Sequence, residues 1–156
     1  MKILIRQAST FDIPFLKLRD IDLKEIQAMS GNSPFEALRR GIVEGRKSWS
    51  VFGQIDGKFQ CIAIFGVCDY PGYDGVGCPW LLASDALAEI PMTILRASKK
   101  FLAEMHQDYP VLCNFVHHEN TTSINWLKWL GFSVLPPITL GVQGDLFHQF
   151  IRKNNV

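Results

Sequence analysis

The sequence predicts an α/β (α+β) domain: a mixed central sheet of six or seven strands with helices on both faces. Three observations carry this. Between Tyr109 and Phe132 a strand, an Asn-capped helix and a glycine stop follow one another without a gap. Two apolar runs flank Asp56-Gly57, the dipeptide best suited to a two-residue hairpin turn. Apolar residues recur at helical spacing after Ser33 and again after Ile90, which places helices between strands.

In chain order, Ile3 to Ile5 with Arg6 reads as a first strand. Ser9 then caps a helix, Asp12 completes a capping box, and Phe11, Phe15 and Leu18 form its stripe. A short helix is placed around Leu23 to Met29. Ser33, Pro34 and Glu36 open a further helix that turns Leu38 and Ile42 to one side and ends near Gly45. Trp49, Val51 and Ile55 make a strand, and after the hairpin FQCIAIFGVC is apolar on both faces, as a central strand is. Residues 69 to 79 are crowded with Gly and Pro and read as a loop, so Gly72, Gly75 and Gly77 belong to turns. Pro79 to Ser84 is a short strand. A helix from Glu89 or Ile90 to Met105 carries Pro91 at its start, with Ile94, Leu95, Ser98, Phe101, Leu102 and Met105 on one face and Arg96, Lys99 and Lys100 on the other. Val111 to His117 is a strand, Asn120 caps a helix striped by Ile124, Trp126, Leu127 and Leu130, and Gly131 ends it. Phe132 to Leu135 and, after the Pro136-Pro137 break, GDLFHQFIRK are the last two strands.

The 156 residues, 47% hydrophobic and 20% charged, fit one domain, residues 1–156, with a sizeable core. A net charge of +1 argues against broad adhesion to nucleic acid or an anionic membrane. No apolar run nears the roughly 20 residues of a membrane span, and the opening MKILIRQAST is too short in its apolar part for a signal peptide. Cys61, Cys68, Cys78 and Cys113 form no C-x-x-C pair, so the expectation is reduced thiols in a cytoplasmic protein. His117 and His118 are neighbours on opposite faces of a strand with no H-x-x-x-H, which argues against a metal site.

The order of elements, together with Asn120, Ser123, Leu130, Gly131 and Phe132, resembles the Gcn5-related N-acetyltransferase (GNAT) superfamily. The resemblance implies a mostly antiparallel sheet whose fourth and fifth strands splay apart, leaving backbone groups for the pantetheine arm of acetyl-CoA. It also implies an amine acceptor, either a small molecule or a protein. Two features depart from the pattern. Leu127 stands where the superfamily commonly has Tyr, and SDALAEIP replaces the glycine-containing loop that meets the pyrophosphate. Trp80, Ser84, Asp85, Asn114, Asn120 and Leu127-Lys128 are similar to a divergent branch, the GNAT-like proteins of short-tailed bacteriophages related to their internal virion proteins. That likeness places the chain in host cytoplasm or virion and leaves room for a phage protein partner or a homodimer.

Within the resemblance, Leu82, Ala83 and Ser84 on the fourth strand, Asn114 on the fifth, and Asn120 and Ser123 at the capped helix face the cofactor. Arg96, Lys99 and Lys100 substitute for the missing glycines at the phosphates. His117 or His118 is the candidate base, and Asp85 a residue that orients the amine. Each has a plainer alternative: a solvated strand end, a loop acid, a solvated helix face, and for Asn114 a hydrogen bond to neighbouring backbone. Two functions stay open: an acetyl-CoA-dependent N-acyltransferase, or a scaffold without turnover that binds through exposed aromatics such as Tyr70, Tyr73 and Trp129.

Overall fold

Eight strands form one sheet in the computed structural model, which describes residues 2–90 and 92–154. They are β1 (Ile3–Gln7), β2 (Lys47–Ile55), β3 (Lys58–Asp69), β4 (Val76–Ala83), β5 (Val111–His117), β6 (Ser133–Val134), β7 (Ile138–Leu140) and β8 (Asp145–Lys153). The order across the sheet is β1-β2-β3-β4-β5-β8-β6, with β7 also on β8. Neighbours run antiparallel except β4 and β5. The eighth strand, beyond the six or seven expected, arises at Pro136-Pro137. Prolines cannot donate to a ladder, so one edge strand is split into β6, against Phe150 and Ile151, and β7, against Asp145 to Phe147.

Among the described residues four helices cover the sheet: α1 (Asp20–Met29), α2 (Pro34–Glu44), α3 (Met92–Asp108) and α4 (Thr121–Trp129). On one face α2 and a 3-10 turn at Thr10–Phe15 bury Leu38, Ile13 and Leu16 against Phe52, Cys61 and Ile64. On the other, α3 and α4 bury Leu102, Met105 and Leu130 against Val67, Leu112, Val116 and Phe150. No described helix is long and apolar enough to cross a membrane. Pro91 and the side chain of Ile94, expected at the start of α3, lie outside the described residues.

Several local expectations change. The Ser9–Asp12 capping box forms, but it opens a 3-10 turn, and Phe11 and Phe15 are 83% and 70% exposed. The cause is Asp12, which is drawn inward by both Arg6 nitrogens (2.9 and 2.7 Å) and by the Ser50 hydroxyl (2.7 Å), so the flanking phenylalanines turn out. Helix α1 begins at Asp20, ahead of the expected Leu23, although Arg19 offers no side-chain cap. The expected loop over residues 69–79 shrinks to 70–75, because β3 runs to Asp69 and pairs with Gly77, Cys78 and Pro79 of β4. Gly77 is required by packing: a Cβ there would come within 2.6 Å of the Tyr109 ring. Helix α3 starts at Met92 after a separate 3-10 turn, Asp85–Glu89.

Candidate active site

β4 and β5 pair only at Val76↔Val111 and Gly77↔Leu112, and then part. Which backbone groups face the fork follows from antiparallel alternation. Ser84 N donates to Ile62 O at 2.8 Å, so Ser84 and Leu82 point their backbone at β3, whereas Pro79, Leu81 and Ala83 point theirs at the fork. Pro79 has no N–H to leave unpaired, and its carbonyl accepts from Asn114 Nδ2 at 2.7 Å. Asn114 Oδ1 in turn accepts from Phe115 N at 2.8 Å. Farther out, Ala83 N donates to Asp22 Oδ2 (3.0 Å) and Ala83 O accepts from Arg19 N (2.9 Å). Among the described residues Leu81 has no partner for its N–H and C=O, which the same alternation directs into the opening.

Helix α1 closes one side of the fork. Asp22 is 1% exposed and receives a two-point bond from Arg19, Nε and the second guanidinium nitrogen each at 2.8 Å. Three residues on, Glu25 Oε1 accepts from His117 N at 3.1 Å and from Asn120 Nδ2 at 2.9 Å. Burial pushes the Glu25 carboxyl above its ordinary 4.5, against the opposing pull of these two hydrogen bonds. A carboxylate shifted this way at a cavity wall has the character of a general base.

The cavity, of about 360 Å³, passes through the fork from α1 to α3 and α4, lined by Glu25, Met29, Trp80, Phe115, Trp126 and Leu127 among others. The indole N–H groups of Trp80 and Trp126 are buried and have no partner among the described residues. Buried donors are nearly always satisfied, so these two indoles are exceptions among the residues that line the cavity.

Of the residues named from sequence, Leu82, Asn114, Asn120 and Ser123 line this cavity. Leu82 contributes its side chain only, and the Asn114 amide is used up within the protein. Ala83 and Ser84 do not reach the cavity: their polar groups serve Asp22, Arg19 and Ile62, with Ser84 Oγ 3.2 Å from Ile62 O. His117 is buried with both ring nitrogens engaged, Nδ1 accepting from Glu119 N (3.1 Å) and Nε2 on Asp145 Oδ2 (2.8 Å), so the ring has no free site for an amine proton. His118 is exposed and stacks on His148, with Nδ1 2.8 Å from its Nε2. Asp85 is exposed at the start of the 3-10 turn. Arg96, Lys99 and Lys100 lie on the exposed side of α3, and Lys99 sits 4.7 Å over the Trp129 ring of α4. Sequence reasoning missed Glu25, whose signal was its place with Asp22, Ile26 and Met29 on one face of α1. Among the described residues, no group of three or more His, Cys, Asp or Glu is placed to hold a metal ion.

No family model matches the sequence, and no curated protein matches it. Solved structures do match in fold. A ribosomal-protein-alanine N-acetyltransferase from Brucella melitensis is 14% identical with a TM-score of 0.66, covering 96% of this chain and 99% of its own. The protein yncA from Salmonella typhimurium, solved with its cofactor acetyl-CoA, is 12% identical with a TM-score of 0.66 over 100% and 96%. A GCN5-related N-acetyltransferase from Kribbella flavida is 16% identical with a TM-score of 0.59 over 97% of each chain. With its single parallel step between β4 and β5 and the fork beyond it, the chain has the fold of the GNAT N-acetyltransferases.

Proposed function

We propose that this chain is a GNAT-type N-acyltransferase using acetyl-CoA as donor and a primary amine as acceptor, with Glu25 as the proton acceptor. The observation that carries the reading is the partly buried Glu25 carboxylate, held by Asn120 and by the His117 amide in the wall of a cavity that runs through the fork. The residues present suit the amide-bearing arm of the cofactor. Among the described residues Leu81 offers a free N–H and C=O in the fork, and Trp80 and Trp126 hold buried donors without partners. They suit a backbone pyrophosphate loop poorly, since the turn before α3 carries Asp85 and Glu89 and no glycine. Arg96, Lys99 and Lys100 are the cations available for phosphate on α3. When bound, the cofactor supplies an activated acetyl thioester. Glu25, raised by burial, takes the proton of an ammonium or of the amine as it attacks. His117, fixed by Asp145 and Glu119, presents the amide that orients Glu25. The acceptor enters from the α1 side between Met29, Trp80 and Phe115, and it is a small-molecule or a protein amine.

A second reading is a scaffold without turnover, like the GNAT-like phage proteins that the sequence resembles. It is favoured by the fork's own hydrogen bonding: Asn114, Asp22 and Glu25 already occupy groups at Pro79, Phe115, Ala83 and His117. Its partner contacts would be Tyr73 and Trp129, both exposed. Calorimetric titration with acetyl-CoA at low and moderate salt separates the two. The acyltransferase reading expects binding that weakens with salt and in the Arg96→Ala/Lys99→Ala/Lys100→Ala variant, because exposed cations are screened within about 10 Å. Glu25→Gln should bind the cofactor as the wild type does and fail to acetylate an amine panel. No heat at millimolar cofactor in either salt removes the enzyme and leaves the scaffold.

A further inference from the structure

Cys68 on β3 and Cys78 on β4 stand directly opposite each other in the antiparallel register. The same alternation that turns Ser84 toward Ile62 makes Cys68 and Cys78 a hydrogen-bonded pair, the kind in which opposed Cα atoms are typically about 5.5 Å apart. A disulfide spans about 4.4–6.8 Å between Cα atoms, most often near that value. Side chains at opposed positions leave the sheet on one face. The Cys68 thiol donates to the Cys78 backbone carbonyl at 3.6 Å, which lays it against Cys78. Both are partly exposed, whereas Cys61 and Cys113 are buried.

We propose that Cys68 and Cys78 are a reversible cross-strand dithiol–disulfide couple, a redox modification site at the root of the fork. The roles within the pair are unequal. The neighbouring Cys78 thiol holds the Cys68 thiol below its usual range, while the Cys68 thiol, and then burial, push Cys78 up. Cys68 is therefore the attacking thiolate. With a low-molecular-weight disulfide such as oxidised glutathione, Cys68 sulfur bonds to one glutathione sulfur and the other leaves as thiolate. Cys78 then loses its proton and attacks Cys68 sulfur, expelling the second glutathione. Two protein thiols are oxidised, one glutathione disulfide is reduced to two thiols, and the protons go to the leaving thiolates. The bond ties β4 to β3 one residue before Pro79, where β4 leaves β5. The couple is independent of the acyltransferase reading.

The test is intact-mass spectrometry and alkylation mapping of the folded chain treated with oxidised glutathione. The expected result is a monomer lighter by about 2 Da, the two hydrogens lost, with Cys68 and Cys78 peptides joined and the change reversed by dithiothreitol. Cys78→Ser should stop at a glutathione adduct on Cys68, and Cys61→Ser or Cys113→Ser should oxidise as the wild type does. An unchanged mass, a persistent adduct on the wild type, a bond to Cys113, or a disulfide-linked dimer overturns the proposal. The wild-type measurement decides even if a serine variant fails to fold.

Discussion

Asn120 donates through Nδ2 to Glu25 Oε1 at 2.9 Å, while its Oδ1 accepts from Ser123 N at 3.3 Å. One buried amide thus caps α4 and holds the carboxylate of α1, joining elements 95 residues apart in sequence. The residue that is most visible in the sequence as a helix start is also the support of the residue that was least visible.

Asn120→Ala removes both bonds. Loss of the cap costs about 1 kcal/mol, and the Glu25 oxygen keeps only the His117 amide. Asn120→Asp keeps the cap acceptor but sets a second carboxylate against Glu25, raising its pKa further. Denaturant unfolding should rank the wild type above the Asn120→Asp variant near neutral pH and show the gap narrowing in acid. Equal stability at all pH values would mean that the two side chains do not interact.

Glu25 sets a pH dependence of its own. Its folded pKa lies above the ordinary 4.5, so the folded state holds the proton more tightly than the unfolded chain. The contribution is full below the ordinary value and is lost as pH rises through the folded value. Glu25→Gln keeps an uncharged acceptor for His117 N and Asn120, so it should gain on the wild type in urea midpoints as pH rises above the ordinary carboxylate value. Acetylation, where an acceptor is found, should rise with pH through the same group and fall by about 10²–10⁴-fold in Glu25→Gln. Parallel stability curves for the two proteins would contradict the shift.

Asp22 is the tie between α1 and β4. Asp22→Ala leaves the Arg19 guanidinium, itself mostly covered, and the Ala83 amide without their partner. Breaking a buried pair in this way costs about 3–5 kcal/mol. Urea denaturation measures it, and a loss below about 1 kcal/mol would show that α1 is held chiefly by its apolar contacts.

Gly131 ends α4 at φ +91°, and a Cβ there would meet only Arg152 Nε, at 3.5 Å. The expected cost of Gly131→Val, about 1–3 kcal/mol, is therefore backbone strain and not a clash. A thermal melt unchanged by the substitution would place the helix end elsewhere.

The parts of the fold set by local chemistry were readable: the Asp56-Gly57 hairpin, the Ser33 and Asn120 caps, and Gly131 all stand where their short-range preferences put them. What was lost depends on partners far along the chain. Phe11 and Phe15 look like a core stripe until Asp12 finds Ser50 on β2. His117 looks like a free base until Asp145, 28 residues later, takes one ring nitrogen. Asn114 offered two outcomes, and the one realised needed the carbonyl of Pro79, 35 residues earlier. The one signal of Glu25, its place on a face with Asp22, Ile26 and Met29, was faint because α1 lacks a capping residue and that face mixes acids with apolar side chains.

The Pro79–Asn114 bond has a further consequence for the open fork. An unpaired strand edge invites any extended segment to add itself as a strand, which is how sheets aggregate. Here the first rung past the branch has a proline with no amide to give and a carbonyl already occupied, and the third, at Ala83, is closed by Asp22 and Arg19. On the β4 edge, among the described residues, only Leu81 remains, and a single rung is too few to template a strand. The protein can keep its sheet divided without becoming adhesive, and a slender ligand, reading one residue, is admitted where a neighbouring polypeptide is refused.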